Sequence, residues 1–114
     1  MRRGPMKISY QNKQIEKLCS LSAEMEAFFS HDKNLINGLQ TLMGFFDQVT
    51  NLHEFVVAPY LKGYNLEKVK GTENDYSIRI IPKKRKSNYR MYLTPTNNGI
   101  EITIIKIDRH TYKL

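Results

Sequence analysis

The chain has 114 residues, 18 Lys and Arg against 11 Asp and Glu, and a formal net charge of +7. That length suits one domain, the 40% hydrophobic and 25% charged composition is globular rather than disordered, and a single Cys excludes a disulfide framework or a Cys-rich zinc module. No apolar run nears the ~20 residues that span a bilayer, and the basic Met1–Lys7 start has no apolar stretch behind it to make a secretory signal, so a single reduced, cytoplasmic domain over residues 1–114 is expected, with 1–5 as a disordered start.

Residues 6–10 alternate apolar and polar and predict a short first strand. From Gln11 to Phe29, Ile15, Leu18, Ser22, Met25 and Phe29 fall at helical spacing, so a helix is expected, with its stripe interrupted near Ser20–Ser22 and either serine available as an N-cap. Ser30–Asn34 is a cluster of turn residues, and Asp32 is a fair N-cap for a second helix carrying Leu35, Leu39, Leu42, Phe46 and Val49. Gly38 and Gly44 each cost about 1 kcal/mol inside that helix, so each marks either close packing or a weak spot.

The second half reads as sheet. Residues 51–66 look irregular, broken by Pro59 and Gly63. Residues 76–81 and 89–94 alternate at period two, separated by a loop holding Lys83, Lys84, Arg85 and Lys86. Asn97-Asn98-Gly99 supplies the positive φ angles of a hairpin turn. Residues 100–107 form the strongest strand, and Ile104-Ile105 suggests burial on both of its faces. The expected fold class is α+β: a first strand and a helical hairpin on one face of a small antiparallel sheet, with Arg79, Arg90 and Tyr92 on the opposite, open face.

The charge is uneven along the chain. Residues 1–61 hold six cationic and six acidic side chains, whereas residues 62–114 hold twelve and five, so the whole excess of +7 lies in the C-terminal half. Such a patch attracts a polyanion, although a basic surface also serves solubility. His31, His53 and His110 share no metal-ligand spacing, no Gly-rich phosphate loop is present, and Cys19 sits on a helical stripe as a small hydrophobe, so neither a metal nor a small-molecule cofactor is expected. Lys68, Lys70, Arg79, Arg90, Arg109 and His110, with Tyr92 and Tyr112, lie on or beside the C-terminal strands. Cations grip phosphates and aromatic rings stack on unpaired bases, so this set suits RNA. Cleavage additionally needs a base for the ribose 2′-OH, charge stabilisation at phosphorus and an acid for the leaving oxygen.

Several segments together resemble a known family. Leu66-Glu67-Lys68-Val69-Lys70-Gly71, Asp75-Tyr76-Ser77-Ile78-Arg79-Ile80, Asn88-Tyr89-Arg90-Met91-Tyr92 and the Asp108-Arg109-His110-Thr111-Tyr112 terminus follow one another in an order that resembles the RelE/ParE superfamily of bacterial toxin–antitoxin toxins, nearest its HigB-like and plasmid-killer branches. The resemblance covers about Lys7 to Tyr112. It implies a RelE-like fold, a ribosome-dependent, metal-independent mRNA endoribonuclease that arrests growth, and neutralisation by a cognate antitoxin. It also implies roles: Arg79 and Arg90 at the phosphate, Lys70 assisting, His110 in proton transfer and Tyr112 in orienting or stacking a base. Lys68, Lys83, Lys84, Arg85, Lys86, Tyr92 and Arg109 would bind RNA. Two other functions fit the same pattern: a non-enzymatic toxin acting on gyrase, as ParE members do, and a catalytically silent RNA-binding module.

Overall fold

The structure is a computed structural model that describes residues 4–82 and 89–109. Met1–Arg3 of the expected disordered start, the basic loop Lys83–Lys86, His110 and Tyr112 lie outside the described residues.

The fold is α+β. Strand β1 (Lys7–Tyr10) leads into helices α1 (Lys13–Ser20), α2 (Ser22–Phe28) and α3 (Lys33–Gln48). A short helix α4 (Glu54–Val57) and a 3-10 turn (Pro59–Tyr64) follow, then strands β2 (Glu67–Lys68), β3 (Tyr76–Arg79), β4 (Tyr89–Thr96) and β5 (Glu101–Arg109). The sheet order is β1-β5-β4-β3-β2. Its C-terminal strands pair antiparallel, as expected, and β1 joins the sheet edge by pairing parallel with β5, which makes the whole sheet mixed.

Local chemistry explains most boundaries. The Asn12 side chain accepts from Ile15 N–H and opens α1, and Asp32 accepts from the N–H groups of Asn34 and Leu35 and opens α3. The α1–α2 break falls at Leu21, whose backbone is extended; neither neighbouring serine caps α2 with its side chain, contrary to expectation. Residues 54–57 and 59–64 are helical, on either side of an extended Ala58, where an irregular stretch was expected. Glu54 Oε2 accepts from Thr50 N–H (2.7 Å) and Asn51 N–H (3.2 Å) at the start of α4. Pro59 does not break this region but opens the 3-10 turn, where its fixed φ suits the first position. Asn97, Asn98 and Gly99 all take positive φ, as the hairpin reading requires.

One contiguous core joins the layers. Leu35, Leu39, Leu42 and Phe46 of α3 are buried with Ile78, Met91, Leu93, Ile102 and Ile104 of the sheet and with Ile80 just after β3. Each such side chain contributes about 1.5–3 kcal/mol on burial. A Cβ at Gly38 would stand 3.0 Å from the Ile80 carbonyl oxygen, so this glycine lets α3 approach β3. Strand β5 lies inside the sheet between β1 and β4, as a central strand would, but the Ile104-Ile105 pair itself has a local cause. The β4–β5 register shifts between Tyr92 and Leu93, opposite Lys106 and Ile104, so Ile105 is the extra residue of a bulge.

Candidate functional site

Register sorts the candidate residues between two faces. On the open face, Arg79 of β3 lies opposite Arg90 of β4, which lies opposite Asp108 of β5. The next row is Ser77, Tyr92 and Lys106. Tyr89 and Arg109 also pair, but they share the helix-covered face with Met91 and Ile107. Arg109 is therefore beside the Arg79–Arg90 row at the same end of the sheet, yet on the other side of it.

Arg90 is on the expected face but is not offered to solvent. It is 5% exposed. Its Nε donates to Ser77 Oγ at 2.8 Å, and one terminal nitrogen donates to the carbonyls of Asn65 (2.6 Å) and Ser77 (3.1 Å). Glu67 adds an ion pair at 3.9 Å. The left-handed backbone of Asn65 (φ 50°, ψ 63°) shapes the turn that brings its carbonyl to Arg90. Arg90 thus fastens the segment before β2 over the sheet.

Arg79 contrasts with it. It is half-buried, and among the described residues its guanidinium has no hydrogen-bond or ion-pair partner. Its cationic neighbours are already neutralised: Arg90 by Glu67, and Lys106 by Asp108 at 3.8 Å. Lys106 also stands 5.0 Å above the Tyr92 ring. Arg79 is left as a partly desolvated charge suited to an anion.

Lys68 and Lys70 are not brought to this point. Both are exposed. Lys68 pairs with Tyr76, and Val69 N–H reaches the Asp75 carbonyl, so Lys70 follows toward the far end of β3. The four residue steps from Asp75 to Arg79 span about 13 Å along a strand.

The residues that the sequence reading missed are aromatic. Phe28 at the end of α2 lies 6.0 Å from the Tyr89 ring, and Phe29 lies 5.3 Å from it edge-on. Arg109 Cζ stands 5.4 Å over that ring, with Nε 3.4 Å from the Tyr89 hydroxyl, a hydrogen bond that raises the guanidinium pKa further. The available signal was Tyr89 beside Arg90 at a strand start, but nothing local links it to residues 28 and 29.

Two grooves of about 430 Å³ each lie at the opposite end of the sheet and share Asn51, Asn97 and Asn98; neither includes Arg79. Among the described residues no three His, Cys, Asp or Glu side chains converge to hold a metal. Burial pushes the Cys19 thiol up to about 12, which leaves it neutral and unreactive at physiological pH. His31 has positive φ and donates its N–H to Glu26 O, as a turn residue does. No described helix is long and apolar enough to cross a membrane.

The chain matches no protein-family model and no curated protein.

Proposed function

We propose that this chain is an RNA-binding toxin of the RelE/ParE kind: a ribosome-dependent mRNA endoribonuclease of the bacterial cytoplasm, held inactive by a cognate antitoxin protein. The observation that supports this best is the half-buried Arg79 without an anionic partner among the described residues. It stands at the sheet end where β3 finishes at Arg79 and β5 finishes at Arg109. A phosphodiester is the polyanion whose chemistry suits this collection of residue types.

In the proposed reaction the ribose 2′-oxygen attacks the adjacent phosphorus and its proton passes to a base. The bond from phosphorus to the 5′-oxygen breaks, and that oxygen takes up a proton. The products are a 2′,3′-cyclic phosphate and a free 5′-hydroxyl. Arg79 stabilises the charge gathering on the phosphate oxygens, since its fork is permanently charged. His110 moves the proton and Tyr112 orients a base, both assigned from the terminal motif. Arg90 is a positioning residue, acting through Ser77 and Asn65.

The test is growth arrest on expression, compared with Arg79→Ala and His110→Ala. Both substitutions are expected to relieve arrest. Arrest of undiminished strength in both would exclude the assignment.

A further inference from the structure

The aromatic cluster on the helix-covered side lies outside the residues assigned so far. Phe28 is 37% exposed although it is large and apolar, while Phe29 beside it is 4% exposed. The two rings meet edge-on at 4.9 Å, and both touch Tyr89, so the Phe28 ring is held from behind and from one side. Tyr89 in turn carries the Arg109 guanidinium. Among the described residues Arg109 has no carboxylate within ion-pair distance, unlike Lys106 on the other face. An exposed ring and a cation that both pack on Tyr89 match a nucleotide, which presents a π-face and a phosphate together.

We infer that Phe28, backed by Phe29 and Tyr89, is a stacking platform for an unpaired base of single-stranded RNA, with Arg109 on the neighbouring phosphate. The bound strand then wraps the end of the sheet, from Arg79 on the open face to Phe28 on the helical face. Charge complementarity favours RNA over an apolar protein segment here, because the Tyr89 ring that meets Phe28 carries the Arg109 guanidinium and the chain's net charge is +7. This inference rests on the RNA-binding reading above.

The chain contains no tryptophan, so Phe28→Trp places a single stacking reporter at the site. The probes are a short, labelled single-stranded RNA of mixed sequence and an abasic ribose-phosphate oligomer of equal length, titrated at low salt. Phe28→Leu keeps an apolar side chain without a π-face and is expected to bind the RNA about tenfold more weakly than the parent. Phe28→Trp is expected to retain parental affinity and to lose emission as the RNA binds. The abasic oligomer is expected to bind parent and Phe28→Leu equally. Parental affinity in Phe28→Leu, or unchanged tryptophan emission at RNA saturation, overturns the platform while leaving RNA binding intact. Failure of the parent to bind the RNA overturns both.

Discussion

Arg90 donates to the backbone carbonyl of Asn65 at 2.6 Å, across 25 residues of sequence. This bond changes what a loss-of-function result at Arg90 means. Removing the guanidinium strands the carbonyls of Asn65 and Ser77 and the Ser77 hydroxyl in a buried site. Arg90→Ala is therefore expected to cost about 2–4 kcal/mol of stability. Arg79→Ala, which breaks no such network among the described residues, is expected to stay within about 1 kcal/mol of the parent while losing RNA affinity. Urea unfolding of the two variants, beside their RNA titrations, checks this. Equal stability in both would mean that Arg90 does not fasten the segment before β2.

The glycines of α3 separate in the same way. At Gly38 an added Cβ meets Ile81 Cγ1 at 2.9 Å and the Ile80 carbonyl at 3.0 Å, whereas at Gly44 nothing lies within 4 Å. Gly44→Ala is expected to stabilise the fold by about 0.5–1 kcal/mol through helix propensity. Gly38→Ala is expected to destabilise by about 1–2 kcal/mol, because the backbone oxygen cannot move aside cheaply. Thermal melts of the pair read both signs.

Cys19 is 5% exposed, and burial raises its thiol pKa to about 12. In the unfolded chain the thiol ionises near pH 8.5, so above that pH the unfolded state holds fewer protons than the folded state. Stability from this group is thus full below about pH 8.5 and falls by about 1.4 kcal/mol per pH unit as the pH rises toward 12. Desolvation also raises the Tyr10 and Tyr64 pKa values, which adds to the loss in the same direction at alkaline pH. Denaturant titrations from neutral pH upward, in the parent and Cys19→Ala, measure the slope. At pH 7 the native thiol is expected to resist alkylation and to react once unfolded.

Much of this fold is legible from periodicity. Tyr76–Arg79, Tyr89–Leu93 and the burial of Ile102 and Ile104 follow from alternation, and α3 follows from its stripe and the Asp32 cap. What escaped depends on partners remote in sequence. Strand β2 is two polar residues that form a strand only because β3 lies beside them. The parallel β1–β5 pairing leaves no mark in a four-residue strand. Periodicity placed Arg79 and Arg90 on one face, yet it could not tell them apart, since the burial of Arg90 comes from Ser77 and Asn65. Nor does periodicity assign Arg109 to a face, because the bulge at Ile105 reverses the alternation before it and turns it to the helix-covered side.

We propose that this surface cuts mRNA in translation. The most direct measurement is mapping of 5′ ends on a defined message incubated with the purified chain, with and without translating ribosomes. Discrete 5′-hydroxyl ends are expected inside the reading frame, only when ribosomes are present, and are expected to vanish in Arg79→Ala and His110→Ala. An intact message in the presence of ribosomes and parent chain, under conditions where the chain arrests growth, would contradict it.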